Sequence, residues 1–458
     1  MRIIAAICLL LCSTAAPAAP DAGQRHYERD LFEKIVEIPT VEGRIAEFRK
    51  LTALLKSEFA KAGITNVVVK DHDNTQTLIA RWPASKPSGR KPILIMAHMD
   101  VVEAKAADWK NPPFELREEK GHYLGRGTND NKAALTGIVL ALQDLKRAGF
   151  APTRDIVLLF TGDEETGGNG ARRAVTEWRA LIDAEFALNG DAGGGGIYQD
   201  GRVEGFYMQI AEKTYADYKL TATNRGGHSS NPRPDNAIYA MVGALKAIEN
   251  HRFQPMINPA SRAFYERIAA GDKGMYGELI TKWLKDPTDR ETADLLEAND
   301  PGYTRTRCVA TQMSGGHAPN ALPQKAEANV NCRIFPGVKV EAVRQQLQAL
   351  AGSDVTVKTG DTSPESDASP VRADVLEAYQ AAVATRFKDA PMVPMMSAGA
   401  TDGAYLRNSG IPVYGVGGLW GIISQPSGAH GLDEKVLVDG FHGQVPIWAD
   451  LIRRLAGN

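Results

Sequence analysis

Glu164 and Glu165 stand side by side in Gly162-Asp163-Glu164-Glu165-Thr166-Gly167-Gly168, directly after the apolar run Ile156-Val157-Leu158-Leu159-Phe160-Thr161. The run reads as a buried strand, and the glycines mark where it stops. Carboxylates at the end of such a strand fall where a crevice opens in an α/β sheet. Two adjacent like charges near a core cost free energy unless cations neutralise them. They can also divide the work, one holding a metal and the other moving a proton. A solvated acidic turn shows the same short motif, so the choice between the two rests on the rest of the chain.

Four more residues have the same character. His98 follows the apolar run Ile93 to Ala97, Asp191 follows Phe186-Ala187-Leu188-Asn189, Asp130 precedes a helical pattern beginning at Lys132, and His430 lies in Gly428-Ala429-His430-Gly431. Each alone has a structural account: a satisfied core histidine, a glycine-loop cap, a helix N-cap, a surface histidine. With Glu165 they form a mixed His and carboxylate set, which suits zinc and other divalent first-row metals. Five such donors, one of them bridging, are what a two-metal hydrolytic site requires.

The elements that must position them follow from periodicity. Residues from about His26 to Ala62 read as helical, Asn66 to Val69 and Thr77 to Trp82 as strands, and Pro92 to Ala97 as a buried strand ending at His98. Lys132 to Ala148 and Gly170 to Leu181 read as helices, and Phe186 to Asn189 as a strand. Strands alternating with helices predict an α/β domain, its sheet mainly parallel and covered by helices on both faces. Near Glu212 the pattern changes. Tyr215 to Thr223 alternates as a half-exposed strand does, followed by a helix at Asn236 to Asn250 and a charged helical stretch from about Pro259 to Asn299. Strands at Cys308 to Met313, Ala326 to Ile334 and Val355 to Lys358, with a helix at Val340 to Leu350, predict two helices on an antiparallel sheet. Helices at Val375 to Phe387 and Asp439 to Leu455 and a strand at Pro412 to Val416 then restore the α/β pattern. The expected division is a leader at 1–19, a catalytic domain in two pieces at 20–211 and 363–458, and an inserted α+β domain at 212–362.

Composition narrows the function. A chain of 458 residues exceeds one ordinary core, and 43% hydrophobic with 24% charged residues is a globular composition. A formal net charge of −2 gives no basic field for nucleic acid, and beyond the N-terminus no stretch is apolar and long enough to span a bilayer. Arg2, the apolar Ile3 to Leu11 and Ala16-Pro17-Ala18 read as an export signal with a small-residue cleavage site, which predicts a secreted, periplasmic protein. Leu11 is too bulky for a lipid anchor at Cys12. Only Cys308 and Cys332 remain in the mature chain; an oxidising compartment permits their pairing, and sequence leaves it open.

The ordered segments Met96-Ala97-His98-Met99-Asp100-Val101-Val102, Gly125-Arg126-Gly127-Thr128-Asn129-Asp130-Asn131-Lys132, Asp163-Glu164-Glu165, Asp191-Ala192-Gly193-Gly194, Gly227-His228-Ser229-Ser230, Asn320-Ala321-Leu322-Pro323 and Ala429-His430-Gly431 cover nearly all of the mature chain. In that order they resemble the M20 family of co-catalytic metallopeptidases, in its carboxypeptidase S-like exopeptidase branch. The resemblance implies that His98 and Asp191 hold one metal and Glu165 and His430 the other, with Asp130 bridging. It implies that Asp100 orients the His98 ring, and that Glu164 is the general base acting on a water between the metals. It places His228 as an oxyanion donor, in some members supplied by a partner subunit, and Asn320, Arg333 and Thr401 near the substrate. Two positions depart from the family pattern, Asn131 and Ala133, neither an expected ligand. The family also commonly has a cis peptide after the bridging aspartate, so Asp130-Asn131 is expected to be cis.

The expectation is an exported enzyme with two divalent ions, zinc first and cobalt or manganese as substitutes. It would cleave the amide of a small peptide or an N-acyl amino acid that carries a free carboxylate. Its inserted domain would act as a lid and could join two copies into a homodimer. The rivals are an aminoacylase or deacylase of a dedicated metabolite, which differ only in pocket shape, and a non-catalytic peptide-binding protein. A pure binder needs no base, and Glu164 argues against it.

Overall fold

A computed structural model describes residues 22–457 apart from Pro301. The leader and Cys12 lie outside the described residues. A ten-stranded sheet dominates, and eight of its strands enter parallel pairings, among them Ile93–His98, Ile156–Thr161, Phe186–Asn189, Val413–Gly415 and, off the main path, Met392–Ser397. Antiparallel strands at Asn66–His72 and Thr75–Trp82 extend one edge. Every residue of Ile93–His98, Ile156–Thr161 and Phe186–Asn189 is buried. That burial on both faces is why these strands are continuous apolar runs and not alternating ones. Helices Lys132–Arg147 and Val438–Ala456 pack against each other over the sheet. They approach so closely that a Cβ on Gly137 would meet the Gln444 side chain at 2.4 Å. The fold is the expected α/β class.

The second sheet is antiparallel, in the order Arg307–Gly315, Lys325–Ile334, Thr214–Thr223, Val355–Thr362. Helices Ala237–Asn250 and Val340–Ala351 share its core cluster with residues such as Tyr218, Leu220 and Val330. Cys308 and Cys332 sit opposite each other in this register and are disulfide-bonded, which resolves the question sequence left open.

Three expectations need adjusting. The helix read across His26 to Ala62 is two helices, Ala22–Val36 and Ile45–Lys61. Pro39 and Gly43, the latter at φ +79, fall in the break, and the buried Lys132 ammonium donates to the Ile38 carbonyl at 2.5 Å. The helix read across Gly170 to Leu181 is likewise two, Asn169–Thr176 and Arg179–Ile182. The helical stretch after Pro259 is three helices, Pro259–Gly271, Met275–Lys285 and Arg290–Leu296. Most of it forms its own small core around Tyr265 and Trp283, and its first helix rests on Met392–Ser397 of the large sheet.

Lys213 joins the large sheet to the antiparallel one, between strands Val203–Glu212 and Thr214–Thr223. It is 2% exposed and donates to the Arg305 carbonyl at 2.6 Å. Burial lowers its pKa to about 7. Between about pH 7 and pH 10 the unfolded chain therefore holds a proton that the folded chain has released, so stability rises with pH across that window. Lys213→Met should flatten this rise by up to about 1.4 kcal/mol per pH unit, the limit for one proton. Urea midpoints of both proteins from pH 7 to pH 10 check it; parallel curves count against it.

Candidate metal centre

Three adjacent parallel strands end on one crevice. His98 is the last residue of Ile93–His98 and lies opposite Thr161, after which come Glu164 and Glu165. On the other side Met96 faces Asn189, two residues before Asp191. Asp130 ends the loop that leads into helix Lys132–Arg147, and the Asp130-Asn131 peptide is cis, as the resemblance implied. His430 comes from the loop between strands Trp420–Ile422 and Lys435–Leu437 and has φ +62. A cleft of about 790 Å³ opens over these residues.

The five side chains fall into two groups that share Asp130: His98, Asp130 and Asp191, and Asp130, Glu165 and His430. His98 Nε2 lies 2.9 Å from Asp130 Oδ1 and 3.2 Å from Asp191 Oδ1, and His430 Nε2 lies 3.2 Å from Asp130 Oδ2 and 3.0 Å from Glu165 Oε2. A tetrahedral zinc with bonds of about 2.0–2.1 Å keeps its ligand atoms about 3.3 Å apart, so these spacings need only small adjustment. Glu165 Oε1 is buried without a hydrogen-bond partner, an open acceptor a cation would satisfy. The residues fit a pair of divalent ions bridged by Asp130.

Their electrostatics point the same way. Burial, followed by the Asp191 charge, raises the Glu164 carboxyl well above its usual range. Burial likewise lifts Asp191 to about 6. Hydrogen bonds to Asp130 and Glu165 carry His430 up to about 10. Burial opposes a charged His98 ring, yet the Asp191 charge and bonds to Asp100, Asp130 and Asp191 take it well above the ordinary value. The cluster demands positive charge, and the two imidazoles are drawn on to supply it.

The remaining sequence-expected residues divide into two sets. Glu164, Arg333 and Thr401 line the cleft. Arg333 reaches it from strand Lys325–Ile334 of the other sheet, stacks over the Tyr215 ring at 4.9 Å and donates to the Ala398 carbonyl at 3.3 Å. The Thr401 hydroxyl is engaged inward, donating to Glu212 at 2.8 Å. Asp100 touches His98 differently from expectation. Its main-chain carbonyl is 3.0 Å from His98 Nδ1, whereas its carboxylate, 3.5 Å from that nitrogen, accepts the Glu164 and Glu165 amides at 3.2 and 2.9 Å. His228 and Asn320 lie together but outside the cleft. Both are exposed, on the short ladder of Gly227–His228 with Ala321–Leu322.

Some contributors escaped the sequence reading. Asn131, noted only as a departure, donates to Asp191 Oδ1 at 3.0 Å. Asp402 is buried behind the site and accepts the Thr161 hydroxyl at 2.6 Å. Glu434 is fully buried and accepts the main-chain amides of Gly127, Asn129 and Asp130. The signal for Glu434 was faint: a lone glutamate four residues after His430.

A mainly parallel sheet with paired His and carboxylate groups at its strand ends defines a class, the two-metal hydrolases built on α/β sheets. The sequence profile of peptidase family M20/M25/M40 matches residues 94–454, and the chain belongs to that family. It is 26% identical over 426 residues to the probable carboxypeptidase S-like 2 of Dictyostelium discoideum, covering 89% of this chain and 79% of that one. It is also 26% identical over 454 residues to the N-fatty-acyl-amino acid synthase/hydrolase PM20D1.1 of Danio rerio, covering 94% and 86%. Among solved structures it is similar to the M20 family metallo-carboxypeptidase Sso-CP2 of Sulfolobus solfataricus, with a TM-score of 0.69 at 17% identity over 93% and 98% of the chains. The protein is a metal-dependent hydrolase of peptide or amide bonds.

Zinc should bind the folded chain only, so it raises thermal stability, by about 2.7 kcal/mol at a hundred times its dissociation constant. Asp130→Ala, which removes the donor common to both groups, should abolish most of that gain. A chelator should reverse it in the wild type. Thermal midpoints with and without zinc test this, and equal gains in both proteins would sink it.

Proposed function

We propose that the protein is an exported, two-zinc exopeptidase or amidohydrolase that cleaves the amide next to a free carboxylate in a small peptide or an N-acyl amino acid. The observation that carries this is Arg333. It is the single arginine or lysine lining the cleft among the described residues, and it shares that cleft with Asp130, Glu165, Asp191 and His430. Its guanidinium can hold a carboxylate bidentately while the adjacent amide lies towards Glu164. Peptide C-termini and N-acyl amino acids share that arrangement, which accommodates both kinds of relative. Bound beside Asp130, the two cations would polarise the scissile carbonyl and acidify a water. Glu164 takes the proton from the attacking water and returns it to the leaving nitrogen. Its raised pKa suits a group that must both accept and give up a proton. Asp100 keeps His98 in register, and the burial of both side chains strengthens their interactions. Export is supported by the apolar, Ala-rich leader and by the Cys308–Cys332 bond.

One assay tests this reading. Glu164→Ala should lower kcat on a dipeptide or N-acyl amino acid by about 10²- to 10⁴-fold while the protein still takes up metal. Arg333→Ala should raise KM for the free acid and leave turnover of the carboxamide-capped analogue unchanged. Wild-type-like kinetics in both variants would refute the assignment.

We also infer a homodimer through the 212–362 unit. His228 and Asn320, expected at the reaction centre, are exposed at a separate two-stranded ladder outside the cleft, and a second copy is what could bring such groups to a cleft. Arg307–Gly315 is an uncovered edge strand, with Val309 61% exposed and Tyr239 on the neighbouring helix 71% exposed. Edges of that kind are prone to pair with another chain. Light scattering should give twice the chain mass. Mixing inactive His228→Ala with inactive Glu164→Ala, after dissociation and reassembly, should restore activity. A monomer, or no complementation, excludes the shared site.

A further inference from the structure

Glu434 and Arg126 form a buried ion pair at 2.6 Å, one on each of the two loops that approach the metal centre from outside the parallel strands. The Glu434 carboxylate accepts three main-chain amides, Gly127 at 3.0 Å, Asn129 at 2.8 Å and Asp130 at 2.9 Å. Its own carbonyl accepts the Gly125 amide at 3.0 Å and the Thr128 hydroxyl at 3.1 Å. The loop that ends in Asp130 is thus wrapped around one side chain. Arg126 completes the link in the other direction, donating to the carbonyls of His430 at 3.1 Å and Gly431 at 3.2 Å. His430 stands at φ +62, a conformation an L-residue adopts only when its surroundings hold it there. Those bonds supply the hold, since Arg126 grips the peptide carbonyl of His430 itself.

We propose that the Glu434–Arg126 pair is a positioning device that fixes Asp130 and His430 relative to each other, and so sets up the Asp130–Glu165–His430 cation position. The inference rests on the two-metal reading above. It goes beyond it by assigning that position to a salt bridge that touches neither cation nor substrate. His98 and Asp191 stand at the ends of paired strands and need no such help. The donors of the second group come from loops; the ladder of Lys435–Leu437 on His122–Leu124 joins two of them, but it ends at Glu434 and Gly125, short of both His430 and Asp130. A buried ion pair is weak evidence for net stability, because desolvation offsets the attraction. What it does supply is directionality: a planar fork on two carbonyls and a carboxylate on three amides leave few alternative geometries.

The test counts metal ions directly. Arg126→Lys keeps the charge opposite Glu434 but loses the fork to the His430 and Gly431 carbonyls. Glu434→Gln keeps the shape and removes the charge. Arg154→Lys is the control, since Arg154 is another buried arginine, paired with Glu185 and bonded to the Lys91 carbonyl at the opposite ends of the strands. Zinc is titrated calorimetrically into chelator-treated protein, with elemental analysis after gel filtration. The wild type and Arg154→Lys are expected to take two equivalents. Arg126→Lys and Glu434→Gln should keep one and bind the other about 10- to 100-fold more weakly, the usual effect of losing a group that orients a ligand. Melting of the metal-free proteins separates folding from positioning, and Arg126→Lys decides alone if Glu434→Gln does not fold. Two equivalents at wild-type affinity in Arg126→Lys, or equal weakening in Arg154→Lys, overturn the proposal. A wild type that takes fewer than two overturns the two-metal reading and this inference with it.

Discussion

Negative charge is crowded at one end of the large sheet beyond what burial alone tolerates. Asp100, Asp130, Asp163, Glu164, Glu165, Asp191 and Asp402 all belong to one neighbourhood, and several are buried or nearly so. Two unit charges 4 Å apart repel by about 4 kcal/mol at an effective dielectric constant of 20, so the carboxylates need donors or cations to share the space. The backbone answers part of this demand. Glu164 and Glu165 turn their amides onto Asp100, Gly170 donates to Asp163 at 3.0 Å, and Thr161 donates to Asp402. Where amides and hydroxyls give out, burial shows through: Asp163 is lifted to about 6, and Glu164 and Asp402 go well above their usual range. A site in this condition binds cations because they relieve an existing cost.

The same constraint shapes the architecture around the cleft. Strands buried on both faces can present side chains only at their ends, which is where the carboxylates are. The long helices behind them bring no positive side chain to the cleft. The cation that does line it, Arg333, arrives from the less buried face of a different sheet, whose other face packs under two helices. On the proposed reading, substrate affinity and metal affinity would be built on separate scaffolds, joined through links such as Lys213. A carboxylate anchored on one and an amide activated on the other define a substrate by the span between them.

How much of this could be read from the residues depended on whether the signal was side chain or backbone. Continuous apolar runs announced Ile93–His98, Ile156–Thr161 and Phe186–Asn189, and strict alternation announced Thr214–Thr223. Met392–Ser397 carries Pro394, a residue that counts against a strand in any sequence pattern, yet it lies parallel to Val203–Glu212 in a position that tolerates the missing amide. The three-residue strands Arg117–Glu119, His122–Leu124 and Lys435–Leu437 are too short for periodicity to register. Glu434 was invisible for a deeper reason. Its partners are mostly peptide amides, which every residue carries and no sequence marks. His228 and Asn320 were legible as motifs, but a motif gives a residue type and not the neighbour it meets across space.

That distinction bears on specificity. The ligand set and Glu164 are common to any amide hydrolysis at such a centre, so they cannot choose among substrates. The choice must come from what else lines the cleft, and there the lining is mixed. Arg333 and Tyr215 supply a planar, cationic corner, whereas Met395, Pro364 and Tyr405 are apolar or aromatic. A volume of about 790 Å³ is in the range that encloses a whole small molecule. An amino-acid carboxylate on Arg333 would leave the acyl side of the bond facing the apolar part of that lining. Apolar contacts discriminate weakly, about 1–3 kcal/mol per methylene, while a bidentate guanidinium–carboxylate pair adds geometric specificity as well as energy. On the proposed reading, the cleft would select first for the acid that Arg333 holds and only weakly among the acyl groups removed.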